Sequence, residues 1–120
     1  MLISLFKRHQ HLISAWTITE FEKVGPNLRL QAQVTLGGGS VLFIRQVVLA
    51  ETMFKYAYHW QSEEGDLICR WDNAPHWPDI PSYPHHKHVV SGNEILVQES
   101  HGGDFDEVFE EIATIMNAAE

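Results

Sequence analysis

Turn signals fall so often along this chain that little room is left between them for anything but short strands. Gly25-Pro26-Asn27, Gly37-Gly38-Gly39, Glu64-Gly65, Ser91-Gly92-Asn93 and Gly102-Gly103 cut it into strand-length pieces, because glycine, proline and asparagine in such clusters redirect the backbone. Leu28, Leu30, Ala32, Val34 and Leu36 alternate with Arg29, Gln31, Gln33 and Thr35, the period-two pattern of a half-buried strand. Segment 41–49, VLFIRQVVL, is β-branched and nearly all apolar and reads as a central strand. Segment 12–23 reads as a first strand, 54–61 and 66–72 as a hairpin, and 94–99 as a short late strand. Links this short favour an antiparallel meander. Residues 2–10 fit either a helical turn or an extension of the first strand.

The end of the chain changes period. Phe105, Val108, Phe109, Ile112, Ile115, Met116 and Ala119 recur at helical spacing with acids between them. Asp104 followed by Glu107 resembles a capping box, which predicts a helix starting there. Such a stripe must be buried, and the apolar face of the sheet is the one large surface that can take it. The expected fold is α+β: a twisted antiparallel β-sheet (a meander) with a C-terminal amphipathic helix packed on one face and a proline-rich extended segment. At 120 residues the chain has single-domain length, 1–120.

Charge is unevenly divided. Residues 1–99 hold ten acids and eight bases, whereas 100–120 hold six acids and no base, so most of the net −8 belongs to the C-terminal segment. That balance argues against broad coating of nucleic acid but leaves room for a local cationic site. No apolar run approaches the ~20 residues of a membrane span, so no membrane partner is expected. The start has its basic residues after the apolar ones, unlike a secretory signal. The one cysteine, Cys69, is compatible with the reducing cytoplasm, and a cytoplasmic protein is expected.

Counting across the hairpin sorts its side chains. If Gln61 and Asp66 flank a four-residue turn, Trp60 meets Leu67, Tyr58 meets Cys69 and Tyr56 meets Trp71 on an aromatic face. On the other face His59 meets Ile68, Ala57 meets Arg70 and Lys55 meets Asp72. Cys69 then lies among aromatics, where burial raises a thiol's pKa and makes it a poor nucleophile.

Residues 73–88 read NAPHWPDIPSYPHHKH. Prolines at 75, 78, 81 and 84 keep a three-residue spacing, the repeat of a polyproline II helix. His85, His86, Lys87 and His88 follow at once. If this stretch is extended, His86 and His88 point one way and His85 the other, so the three do not easily ligate one ion. Two of them with Asp72 or His76 could, but the spacing is not a specific metal signal. Acid–base work suits imidazoles better, since they give and take protons near neutral pH. No metal and no cofactor are therefore expected.

The run Tyr56-x-Tyr58, Arg70-x-Asp72-Asn73-Ala74-Pro75-His76 and Pro84-His85-His86-Lys87-His88 resembles the TumE family of toxins from prokaryotic toxin–antitoxin systems, over about residues 40–90. Where that family often has a second histidine after the one matching His76, this chain has Trp77. The resemblance implies a cytoplasmic toxin neutralised by a small DNA-binding antitoxin, usually of helix-turn-helix type. The residues themselves suggest a metal-independent ribonuclease, in which the RNA 2′-OH is the nucleophile and the protein supplies base, acid and cationic donors. Base and acid fall among His76, His86 and His88, phosphate stabilisation to Arg70 and Lys87, and orientation of a histidine or of Arg70 to Asp72. The alternative is a non-enzymatic binding module that sequesters a target through the Arg70–His88 segment. The C-terminal helix is expected to expose Asp106, Glu107, Glu110 and Glu111 to a basic partner.

Overall fold

A computed structural model describes residues 2–50 and 53–118. Among these residues the chain forms α1 (Leu2–Arg8), seven strands, β1 (Ile13–Val24), β2 (Asn27–Leu36), β3 (Val41–Leu49), β4 (Met53–Gln61), β5 (Leu67–Asp72), β6 (His86–Ser91) and β7 (Glu94–Glu99), and α2 (Phe105–Ala118). The strands pair in sequence order, each antiparallel to the next, in one open sheet. The expected α+β meander with its C-terminal helix is the fold observed. The undecided segment 2–10 forms the short helix α1.

Both helices cover the same face. On that face β2 places Leu30, Ala32, Val34 and Leu36, β3 places Leu42 and Ile44, β4 places Tyr56, Tyr58 and Trp60, and β5 places Cys69 and Trp71, all buried. Leu5 and Phe6 of α1 and Val108, Phe109 and Ile112 of α2 complete this core. Phe105, Ile115 and Met116 pack against it as the stripe requires, while Ala119 lies outside the described residues. Asp104 caps α2, its Oδ1 accepting from the Glu107 amide at 3.1 Å, which satisfies one of the free N–H groups of the first turn. Gly103 is needed where the chain approaches α2. A Cβ there would sit 2.8 Å from the Tyr56 ring, and the Tyr58 hydroxyl donates to the Gly103 carbonyl at 3.1 Å.

Three local expectations are corrected. The β4–β5 register pairs Ala57 with Asp72, Tyr58 with Trp71, His59 with Arg70 and Trp60 with Cys69, and a bulge intervenes before Gln61 meets Leu67. The connection is therefore one residue longer than expected, Asp66 turning back to Ser62, and Lys55 does not face Asp72. The proline segment is not a polyproline II helix, which has no internal hydrogen bonds. It folds into consecutive turns closed by Trp77 O to Ile80 N, Ile80 O to Tyr83 N and Ser82 O to His85 N. Pro78 and Pro81 take the second position of the first two, where a fixed φ suits the turn, and Pro84 follows a cis peptide bond in the third.

The acidic surface of α2 is also smaller than expected. Glu107 and Glu110 are exposed, but Asp106 is engaged by Arg8, the last residue of α1, and by His9 just after it. Glu111 is largely covered, accepting from Trp71 Nε1 at 3.0 Å and pairing with Lys87. Among the described residues no helix is long and apolar enough to cross a membrane.

Candidate active site

With the helices on one face, alternation along β5 and β6 decides which side chains reach the other. Cys69 and Trp71 turn to the helices, so Arg70 and Asp72 turn to the open face. Across the ladder Arg70 pairs with His88 and Asp72 with His86, which brings one cation, one carboxylate and two candidate imidazoles onto one patch two strands wide. His59 adjoins from β4, opposite Arg70.

Asp72 is the centre of this patch and is 5% exposed. Its Oδ1 accepts from the backbone amide of Ala74 at 3.0 Å and lies 2.9 Å from His86 Nε2. Its Oδ2 accepts from Arg70 Nε at 3.2 Å and lies 3.3 Å from His88 Nε2. His86, itself buried, donates Nδ1–H to the carbonyl oxygen of Pro84 at 3.0 Å. A carbonyl can only accept, so Nδ1 is the donor there, and Nε2 faces the Asp72 carboxylate. The turn that ends the proline segment therefore fixes the imidazole that holds Asp72.

Arg70 is held from two sides. Nε reaches Asp72, and Nη1 donates to His59 Nδ1 at 3.3 Å. Among the described residues no partner is found for Nη2, and the side chain is 38% exposed, so part of the guanidinium fork is free for an anion. Burial and then the Arg70 charge hold His59 below the ordinary histidine pKa. His88 is held low first by burial and then by His86 and Arg70, against the opposing pull of Asp72. His88 is thus set to be neutral at neutral pH while still touching a carboxylate. The ring edges of His86 and His88 meet, at 5.0 Å between centroids, and Trp77 closes over both at 6.4 and 6.5 Å.

A cleft of about 380 Å³ opens beside Asp72, lined by Arg45, Lys55, Arg70, Asp72 and His76 among others. Asn73 forms its edge. Its Oδ1 accepts from the Tyr56 amide at 3.1 Å and its Nδ2 donates to the Phe54 carbonyl at 2.8 Å, clamping the chain where it leaves the sheet. His76 stands exposed on the first turn.

Of the candidates from the sequence, the structure brings together Arg70, Asp72, His86 and His88, and His76 lines the cleft beside Arg70 and Asp72. Lys87 is not brought to them. It alternates to the helix side and pairs with Glu111. His85 is on that side too, its Nδ1 hydrogen-bonded to the Tyr56 hydroxyl at 2.7 Å, while burial pushes the Tyr56 and Tyr58 phenols up. Cys69 sits in the core, its thiol pushed up to about 12 by burial. Sequence reasoning placed Lys55 and His59 on this face without giving either a role, and passed over Arg45. The signal for Arg45 was its position as the lone charge in the apolar run 41–49. Asp72, His86 and His88 are also the group whose ligand atoms, all within 4.8 Å of one another, could hold a metal ion.

Compared with protein-family models, residues 2–117 match the family described as Toxin TumE. No curated protein and no solved structure matches.

Proposed function

The chain belongs to the TumE toxin family, and from that premise we propose that it is the toxin of a type II toxin–antitoxin system and acts as a metal-independent ribonuclease in the cytoplasm. The observation that carries this reading is Asp72. One buried carboxylate contacts Arg70, His86 and His88 and, with Arg70, lines a cleft that holds two further cations, Arg45 and Lys55.

The roles follow from exposure and free atoms. His86 is buried with both nitrogens engaged, so it is a positioning residue. His88 is partly open and neutral. With Nε2–H turned to Asp72 it keeps a lone pair on Nδ1, the arrangement a carboxylate gives a histidine base. His88 takes the proton of the RNA 2′-OH as the new O2′–P bond forms. His76 returns a proton to the 5′ oxygen as the P–O5′ bond breaks, leaving a 2′,3′-cyclic phosphate. Arg70, with Arg45 and Lys55 nearby, stabilises the extra negative charge of the phosphorane. No step needs a metal, because nucleophile, base, acid and cationic donors are all organic groups.

A small DNA-binding antitoxin of helix-turn-helix type is the partner that this reading supplies. Induced expression with RNA integrity as readout tests the activity. Wild type should arrest growth and fragment RNA, His88→Ala and Arg70→Ala should do neither, and chelation with EDTA should leave cleavage by the purified protein intact. Arrest without fragmentation that survives His88→Ala would favour sequestration through the Arg70–His88 segment. Cleavage lost to EDTA and restored by zinc or manganese would reassign Asp72, His86 and His88 as metal ligands.

A further inference from the structure

The open face holds a second depression, which the proposed chemistry does not use. It has a volume of about 290 Å³ and is lined by Gln31, Gln33, Phe43, Arg45, His59 and Arg70, with Ala57 at its floor. It shares Arg45, Ala57 and Arg70 with the cleft beside Asp72. The two hollows thus adjoin in one furrow on the open face, with Arg45, Ala57 and Arg70 as the ridge between them.

We propose that this second depression binds a base of single-stranded RNA, next to the phosphate held at the ridge. The proposal rests on the ribonuclease reading for the identity of the ligand, and adds a subsite to it. Phe43 and His59 are cross-strand partners whose rings lie 6.4 Å apart and tilted by 53°. Both are half-buried on a face that no helix covers. They form a wall against which a planar base can stack, as bases do on aromatic side chains. Gln31 and Gln33, two residues apart on β2, line the same depression and carry the donor and acceptor groups that a base edge can pair with.

Arg70 joins the two hollows physically. Its Nε is on Asp72 at the chemical centre and its Nη1 on His59 in the second depression. A phosphate on its free Nη2 would therefore lie between the reacting group and the stacked base. Charge points the same way. The chain carries −8 overall, yet the furrow is lined by three cations, Arg45, Lys55 and Arg70, and one carboxylate, Asp72, already engaged by Arg70 and His86. A polyanion with flat bases matches such a lining, whereas the acidic helix side would repel it.

The test uses a fluorescein-labelled single-stranded RNA with fluorine in place of every 2′-OH, which cannot be cleaved because its nucleophile is gone. Affinity is read by fluorescence anisotropy at two salt concentrations, beside cleavage of the ordinary RNA. Phe43→Ala should weaken binding by roughly 5- to 100-fold, the size of one lost stacking contact. Phe43→Leu, which keeps the packing and removes the ring, should act in the same direction, so a folding defect in the alanine variant leaves the test intact. Arg45→Ala should weaken binding and lower the salt dependence by about one phosphate contact. Phe21→Ala, an exposed aromatic away from the furrow, should change nothing. If wild type cleaves but folded Phe43→Leu and Arg45→Ala bind as wild type does, the subsite is refuted and the catalytic reading stands. If wild type binds through Phe43 without cleaving, the subsite stands and the catalytic reading falls. No binding by wild type overturns the inference.

Discussion

Replacing Asp72 by asparagine keeps the shape of the side chain and removes its charge. In Asp72→Asn one oxygen becomes an NH2 group. Whichever way the amide turns, that group faces a donor: the Ala74 amide on one side, Arg70 Nε on the other. A buried charge partner is lost and a donor–donor contact is gained, at a site 5% exposed. Breaking a buried pair in this way costs about 3–5 kcal/mol. With a urea slope of about 2 kcal/mol per molar for a domain of this size, the unfolding midpoint should fall by about 2 M. Adding His86→Gln should cost much less in the Asp72→Asn background than in wild type. The expected coupling is about 2 kcal/mol, since each substitution removes the same Nε2–Oδ1 contact. Equilibrium urea unfolding of the four proteins at pH 7.5 measures this. A loss below about 1 kcal/mol for Asp72→Asn, or a coupling below about 0.5 kcal/mol, would show that Asp72 is not the anchor of the patch.

Phe109→Asp should unfold or aggregate the protein, because it sets an unpartnered carboxylate in a fully buried position of α2; cooperative unfolding at the wild-type midpoint would show that the helix is not docked on the sheet. Gly103→Ala should cost about 1–3 kcal/mol by overpacking against Tyr56, and an unchanged melting temperature would refute that contact. His59 and His88 are both held below the ordinary histidine value. The unfolded chain, at about 6.5, therefore takes up these protons first. Their contribution is complete above that pH and is lost as pH falls through it toward the folded values. Urea midpoints from pH 8 to pH 5 should decline, and less steeply in the His59→Gln, His88→Gln double variant; an equal decline in both proteins would remove these histidines as the cause.

The faces of the sheet were legible in the sequence even where its pairing was not. The observed β4–β5 register differs from the counted one by two residues over most of the hairpin. A two-residue shift returns every such side chain to the same face, so Arg70, Asp72 and His59 were placed opposite Cys69 and Trp71 correctly. One residue of that shift comes from the longer connection and one from the bulge, which has no glycine to mark it in the sequence. The proline spacing fits two structures equally, because the three-residue repeat of an extended helix is also the spacing of consecutive β-turns with proline in the second position. Choosing between them takes contacts from elsewhere, such as Asn73 on β4 and the Ser82 hydroxyl accepting from the Ser100 amide. Lys87 could have been set apart from His86 and His88 by alternation alone. The covering of Glu111 could not, because its partners Trp71 and Lys87 come from two different strands.

Neighbouring residues on β5 offer the most direct separation of scaffold from chemistry. Cys69 is 1% exposed in the core, and Arg70 is partly open on the other face. Cys69→Ser buries a hydroxyl among aromatic rings and should cost about 1–3 kcal/mol, with toxicity kept wherever the protein stays folded. Arg70→Ala removes a side chain that is 38% exposed and partly screened by solvent, and Asp72 keeps His86 and the Ala74 amide in place of it. Its midpoint should stay near wild type while toxicity is abolished, because the phosphate loses its donor at the junction of the two hollows. Thermal melting and growth arrest, measured on the same two variants, give the comparison. Equal destabilisation by both would make the Arg70 patch part of the scaffold, since a structural ion pair would then explain the lost toxicity without any chemistry.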